Sequence, residues 1–523
     1  MQFIREIRNS IVDSWENHPL RLILLLAVVT RLIAVLFAKG FGWFDDHFLI
    51  IEASQSWVDG YDYNKWLPGT EGNAGPTGHN LFYTGLHYLF FKFCSLIGFD
   101  SPQGKMYVVR ALHAALSLLI GTIGYKITLF LDRKETARFV GLFLAILWIF
   151  PFVSVRNLVE FTCVPFLMWG TWILMKGKEG ENKWIQGFWA GLILGLAFSM
   201  RFQSLIYIGG IGLGLIILGR WKEAMMAAVG IITTAFICLG TIDMYLWGYP
   251  FAELAEYVRY NMYNYGEYIT GPWYQYLLVI LGILVPPISI YLFFGFFYAF
   301  YSSWKKYLLI FLPVFIFLAF HSYFPNKQER FILPIIPFII ILGGIGWSIY
   351  LRRSVFWKKR KKLMNGSMVF FWVINFILLA VITTTYSKRS RVESMTYLSR
   401  YKGIKEILVE NTNQYNVNLL PKYYLGQWPE QREVSKSRPL DQMPEWIVDN
   451  DDHHPDFVIF EGKENIDKRV AELKAYFPEM VYETTVSPGL IDRILFWLNP
   501  INENQNAYIY RNTKHYPEKI GNP

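Results

Sequence analysis

The sequence predicts an all-α polytopic membrane protein with a small α/β domain at its C-terminal end. Three observations predict it. Apolar windows of about 17–25 residues recur up to residue 386, long enough to span a hydrocarbon core. Of 523 residues, 53% are hydrophobic and only 17% charged, a balance unlike that of soluble chains. Beyond residue 387 the apolar windows stop and short alternating segments take over.

The elements follow in order. The opening MQFIREIRNSIVDSWENHP is polar and lacks an apolar stretch with a small-residue cleavage site, so the first span is expected to act as an uncleaved start. Hydropathy and length place about eleven spans. They run near 20–38, 106–131, 138–154, 158–175, 185–200, 203–219, 224–246, 276–301, 307–323, 331–351 and 368–386. One set of loops is short and basic: Arg5 and Arg8; Arg133, Lys134 and Arg138; Lys176, Lys178 and Lys183; Arg220 and Lys222; Lys305 and Lys306; and RRSVFWKKRKK from Arg352. The excess of Lys and Arg assigns this set to the cytoplasm. The longer, aromatic loops 39–105 and 247–275 and the tail then face the periplasm or the lumen of the endoplasmic reticulum.

Within 39–105, HFLIIEASQSWV and NLFYTGLHYLFFKFCSLIG have helical spacing of apolar residues and read as interfacial amphipathic helices. A span at the second would invert every later loop and break the charge rule. GTEGNAGPTG between them is a turn-rich linker. The chain therefore divides into a membrane module, 1–386, and a non-cytoplasmic domain, 387–523. In that domain NVNLLPKYYL, DFVIFEG, MVYETTV and NAYIYRN read as strands and NIDKRVAELKAYF as a helix.

Composition also excludes some classes. The net charge of +9 sits in short loops between spans, so it is not a nucleic-acid footprint. Cys94, Cys163 and Cys238 lie in apolar segments without CxxC or His/Cys spacing, so neither disulfides nor zinc are expected.

Polar clusters interrupt or flank the apolar segments. They are Asp45, Asp46 and His47 with Glu52; Arg156, Asn157 and Glu160; Arg201 and Gln203; Asp243; and Lys327, Glu329 and Arg330. On the topology above all fall at the non-cytoplasmic face. A single Arg at a span end usually snorkels to headgroups. Arg31 inside the first span is explained by pairing with a neighbouring helix, and Arg156 with Glu160 by an i,i+4 pair. Independent snorkelling would not choose one face each time. Carboxylates beside several cations suit displacement of a phosphate leaving group: a carboxylate deprotonates the acceptor hydroxyl and cations stabilise the departing phosphate.

These residues carry a resemblance. Phe44, Asp45, Asp46, His47, Phe48 and Glu52 after the first span resemble the P-D-E-x-F-Q segment and downstream Glu of glycosyltransferase family 22. These are the dolichyl-phosphate-mannose-dependent α-mannosyltransferases of the integral-membrane GT-C class. Asn326, Lys327, Gln328, Glu329, Arg330 and Phe331, followed by Pro334 and Pro337, resemble its H-K-E-x-R-F motif. Arg156–Asn157 and Arg201–Phe202–Gln203 are similar to its later polar breaks, and YVVRALHAALSLLIG to its second span. The chain departs from the pattern at Asp46, Asn326 and Gln328, where the family has Glu, His and Glu.

The resemblance covers roughly 20–345 and implies a GT-C fold. It implies inverting transfer of a hexose, most simply mannose, from undecaprenyl- or dolichyl-phosphate mannose to a lipid or glycan acceptor. Asp45 would be the general base with Asp46 beside it. Arg330, Lys327 and Arg201 would bind the donor phosphate. Glu52, Arg156, Glu160, Gln203 and Glu329 would support them. The leaving phosphate needs no protonating acid, and no metal or cofactor is implied; no clear carboxylate cage is visible. His47, His79, His87 and His321 stay outside this set. Membrane lipids are the surroundings, and a bacterial inner membrane with a periplasmic site is the expected location, an endoplasmic-reticulum membrane with a lumenal site the alternative. The competing functional class is a flippase or transporter of a lipid-linked anion, which also places cations within the membrane. No inverted repeat and no midplane charge support it.

Overall fold

The computed structural model describes residues 12–177, 183–267, 269–443, 454–500 and 504–520. Arg5, Arg8 and Lys178 of the basic set lie outside the described residues. Among the described residues, six helices are long and apolar enough to cross a membrane: Pro19–Phe37, Pro102–Leu131, Trp221–Trp247, Trp304–Tyr323, Glu329–Arg353 and Lys361–Thr383. The pair Gln275–Ile283 and Ile288–Ser302, bent by 116°, makes a seventh if it counts as one span. Of the other four predicted segments, 185–200 forms the unbroken helix Lys183–Met200, and the rest form shorter or interrupted helices, including Lys134–Ile146, Val164–Lys176 and Ser204–Ile217. The breaks have local causes. Leu147 leaves the helical region at ψ 130°, Pro165 sits in the first turn of a new helix, and SMRFQS ends one helix and starts the next. The chain is a multi-pass membrane protein.

The chain folds as two compact units. The first comprises Met1–Leu36, Asp62–Leu89 and Tyr107–Thr384; the second comprises Phe37–Tyr61, Phe90–Met106 and Thr385–Pro523.

In the first unit, small residues let helices approach at the backbone, as membrane interiors favour. A Cβ on Gly191 would stand 2.1 Å from the Ala227 carbonyl oxygen, and one on Gly346 would stand 1.8 Å from that of Gly295. Arg31 is buried, and its guanidinium donates to Ser117 Oγ at 2.7 Å and the Ala145 carbonyl at 2.8 Å. It is a structural tie between helices.

The second unit holds a five-stranded sheet: β1 Glu406–Asn411, β2 Glu430–Ser435, β3 Phe457–Glu461, β4 Met480–Val486 and β5 Ala507–Asn512, in the order β2-β1-β3-β5-β4. β2, β1 and β3 are parallel; β5 and β4 run antiparallel to their neighbours. The central β3 is buried along its whole length, as a strand covered on both faces must be. Leu408, Val434, Val458 and Phe460 pack against Leu473, Phe477 and Met480. One strand expectation is overturned. NVNLLPKYYL is not a strand: Pro421 offers no N–H, and Lys422–Tyr424 coil into a 3-10 turn. β1 and β2 escape the pattern because EILVEN and EQREVS carry charges at positions that alternation assigns to the core.

Candidate functional site

The acidic segment belongs to the second unit. Gly40 takes φ +74°, and a Cβ there would meet the Ser387 carbonyl oxygen at 1.9 Å, so only glycine fits this bridge. The chain then winds through Asp45–His47, a π-helical stretch Phe48–Glu52 and an α-helical Ala53–Val58. Asp46 is buried; its oxygens accept from Gly42 N at 3.1 Å and Trp43 N at 3.0 Å, closing the turn that starts the helix. Asp45 is only half-buried. The neighbouring carboxylates thus stand in different environments.

The π-helical stretch has a consequence. His47 and Glu52 are five residues apart, which an α-helix does not stack, but the wider turn brings them together at 2.9 Å. Glu52 is fully buried, and both its oxygens accept from the Tyr423 backbone N–H, at 2.9 and 3.0 Å. The His47 ring lies between Phe41 (4.5 Å, 15°) and Tyr424 (5.5 Å, 6°). The Tyr423 hydroxyl donates to the Pro102 carbonyl, Lys105 Nζ to Gln55 Oε1, and Trp428 Nε1 to Asp59. Burial lowers the pKa of the Lys422 ammonium, against the opposing pull of Glu52. Sequence reasoning missed Lys422, Tyr423, Tyr424 and Trp428. A lysine and two tyrosines after a proline carry no mark of a carboxylate partner some 371 positions away.

The cations belong to the first unit. Arg201 Nη2 lies 3.0 Å from Glu160 Oε1 and donates to Gln203 Oε1 at 2.8 Å. Arg330 Nε lies 3.4 Å from the same Glu160 oxygen and donates to Gln328 Oε1 at 2.7 Å. Both guanidiniums flank the Phe331 ring, at 5.3 and 5.7 Å from its centroid. Two guanidiniums share one buried carboxylate, so this triad keeps one excess positive charge.

Most positions of the NKQERF motif have a task. The Asn326 side chain accepts from Gly266 N and donates to the Asn264 carbonyl, tying down that loop. Lys327 Nζ donates to the carbonyls of His321, Ser322 and Phe324, which close the helix Trp304–Tyr323, and burial lowers its pKa. Gln328 orients Arg330, and Glu329 is exposed.

Arg156 departs from expectation. The helix breaks after Val153 and restarts at Val159, with Leu158 extended, so Arg156 and Glu160 do not share a helix face. Arg156 lies over the Phe152 ring at 4.4 Å, and Glu160 turns to Arg201 and Arg330. Tyr257, also missed by sequence reasoning, packs on Phe202 at 5.1 Å and hydrogen-bonds Gln203; burial raises its pKa. Of the histidines here, His79 stacks on Trp66, His87 bonds the Tyr83 carbonyl and Asn157, and His321 bonds the Phe317 carbonyl.

Asp243 and Glu253 form a separate anchor. Glu253 Oε2 accepts from the backbone N–H groups of Thr77, Gly78 and His79, at 3.0, 2.6 and 3.1 Å, and Oε1 accepts from Trp247 Nε1. Asp243 accepts from Glu253 N. Burial, assisted by Asp243 and opposed by those N–H donors, raises the Glu253 carboxyl to about 7. Among the described residues, no three His, Cys, Asp or Glu side chains converge as metal ligands would.

Residues 22–425 match the model of the Alg9-like mannosyltransferase family. GPI mannosyltransferase 3 of Kluyveromyces lactis is 25% identical over 228 residues, 39% of this chain and 36% of that protein. Alpha-1,2-mannosyltransferase ALG9 of Mus musculus is 26% identical over 228 residues, 40% and 36% of the two chains. The match thus spans about a third of the length of these relatives. The crystal structure of ArnT from Cupriavidus metallidurans bound to undecaprenyl phosphate superposes with a TM-score of 0.61, covering 95% of this chain and 98% of that one at 12% identity. That likeness gives the fold: the GT-C architecture of membrane helices with a small sheet domain. With the family model matched over most of its length, this chain belongs to the Alg9-like mannosyltransferase family.

Proposed function

We propose that this protein transfers mannose from a polyprenyl-phosphate donor to a lipid-linked or glycolipid acceptor with inversion. The observation that carries the reading is the pair of guanidiniums on one buried carboxylate in a chain of this family, since its excess positive charge suits a phosphate. The acceptor hydroxyl oxygen attacks the anomeric carbon, the bond from that carbon to the phosphate oxygen breaks, and the polyprenyl phosphate leaves with the electron pair. Asp45 takes the hydroxyl proton. A single displacement needs no second carboxylate as nucleophile, and it inverts the anomeric centre. Asp46 holds the turn that presents Asp45, since both its oxygens already accept backbone N–H groups.

Arg330 and Arg201 bind the donor phosphate, and Gln203, Gln328 and Glu160 fix their directions. Lys327 contributes its charge at longer range, because its ammonium is engaged by three carbonyls. Glu52 fixes the acidic helix. The reaction takes place on the non-cytoplasmic side, with undecaprenyl phosphate in a bacterial inner membrane or dolichyl phosphate in the endoplasmic reticulum. The test is mannose transfer by the purified protein from polyprenyl-phosphate mannose to a panel of mannosylated glycolipids. Asp45→Asn is expected to lose about 10²–10⁴ in rate, the span of a positioned general base. Full activity of Asp45→Asn would overturn the base assignment. Movement of the donor between vesicle leaflets without transfer to any acceptor would replace the transferase reading with a flippase.

A further inference from the structure

The helix Leu490–Leu498, LIDRILFWL, is the most lopsided in the second unit. Leu490, Ile494, Trp497 and Leu498 are 69%, 41%, 79% and 65% exposed. Their spacing puts them on one side of the helix. The other side carries Asp492, which is buried and accepts from the backbone N–H groups of Lys388 and Arg389, each at 3.0 Å, and of Gly489 at 3.3 Å. Gly489 backs onto the Tyr386 carbonyl: a Cβ there would stand 3.1 Å from its oxygen.

Asp492 therefore fastens the start of this helix to residues 386–389. Those residues follow Lys361–Thr383, a helix long and apolar enough to cross a membrane. Lys388 is five positions beyond Thr383, a stretch that reaches at most about 18 Å even fully extended. A bilayer surface lies within that reach of the helix start. Arg493, beside Ile494 in the helix, is exposed and can meet lipid phosphates, and Arg389 is exposed as well. Trp497 is the residue type that settles at the headgroup level.

We infer that the 490–498 helix is a membrane-surface helix that lays Leu490, Ile494, Trp497 and Leu498 into the lipid, about 5–10 Å deep at the headgroup–acyl boundary. The occupant of this apolar side is lipid, and the soluble domain is moored to the bilayer by the helix as well as by the last span.

The test uses the full chain in lipid nanodiscs containing anionic lipid. Ile494→Cys and Trp497→Cys carry a nitroxide label, with Cys94, Cys163 and Cys238 replaced by serine. Glu472→Cys, exposed on the helix Ile466–Tyr476, is the aqueous reference. Labels at 494 and 497 are expected to collide with oxygen more than with a water-soluble nickel chelate, and the label at 472 to show the reverse. A label at 497 that behaves like the one at 472 overturns the inference. So does one screened from both reagents, which would mean a protein cover from a second copy or a partner. If the cysteine-free background does not fold, benzoylphenylalanine at position 497 of the otherwise native chain gives the same decision: lipid adducts on photolysis support the inference, and protein adducts overturn it.

Discussion

The acidic helix and the cluster around Glu160 both hold a fully buried carboxylate, by different means. Glu52 is held by one backbone N–H and the His47 imidazole. Glu160 is held by the guanidiniums of Arg201 and Arg330. The difference sorts the chemistry. Fixing Glu52 with a backbone N–H and an imidazole orders the turn and helix that carry Asp45. Fixing Glu160 with two guanidiniums leaves positive charge over, which suits an anion that arrives and departs. Position in the sequence does not separate the two kinds, since each carboxylate flanks an apolar run; the partners do.

Removing Glu160 should have the largest effect on stability. Glu160→Ala takes the shared carboxylate from the buried Arg330 and the partly exposed Arg201, and losing one partner of a buried ion pair costs about 3–5 kcal/mol. The measurement is thermal unfolding in detergent with and without polyprenyl phosphate; the ligand should restore part of the loss by supplying the missing negative charge. Loss without rescue would place the phosphate elsewhere. Asp46→Ala should cost less, about 1–3 kcal/mol, because two backbone N–H groups lose their acceptor. Asp46→Asn retains one acceptor oxygen and should keep most of its turnover in the transfer assay. A dead Asp46→Asn would move the base role from Asp45 to its neighbour.

The smallest effect is a slope with pH. Glu253 rises from an ordinary 4.5 to about 7 in the folded chain. The folded state then binds more protons than the unfolded one between those values. Its contribution to stability is full below about pH 4.5 and fades as pH rises to about 7. Thermal midpoints measured from pH 5 to 8 should decline more in wild type than in Glu253→Gln. Equal slopes would show that the three N–H donors, not burial, govern this carboxyl.

Much of this was legible in the sequence because its signals are local. Apolar length marks the six long helices, and composition and order single out the DDHF and NKQERF segments as the candidate site. What escaped was set at a distance. The spans 138–154 and 158–175 already part within SVRNLVE, but nothing there names the partners of Glu160, which are Arg201 and Arg330 and not Arg156 at i,i+4. Lys327 reads as a phosphate ligand until its carbonyl partners are seen. Tyr423 and Tyr424 look like part of a strand, yet they hold Glu52 and His47 through a backbone N–H and a ring face, neither of which has a residue code. The break at Leu147 escaped because hydropathy sees through it, whereas the polar residues at Arg201 marked theirs.

The proposed mechanism divides the labour: Asp45 takes the proton, and Arg330 holds the donor. Donor affinity and saturated turnover, measured side by side for Asp45→Asn and Arg330→Met with polyprenyl-phosphate mannose, test it most directly. Asp45→Asn should bind donor as wild type does while kcat falls by about 10²–10⁴. Arg330→Met should weaken donor binding about 10–100-fold, the worth of a charged hydrogen bond. Lost donor binding in Asp45→Asn together with wild-type binding in Arg330→Met would contradict it.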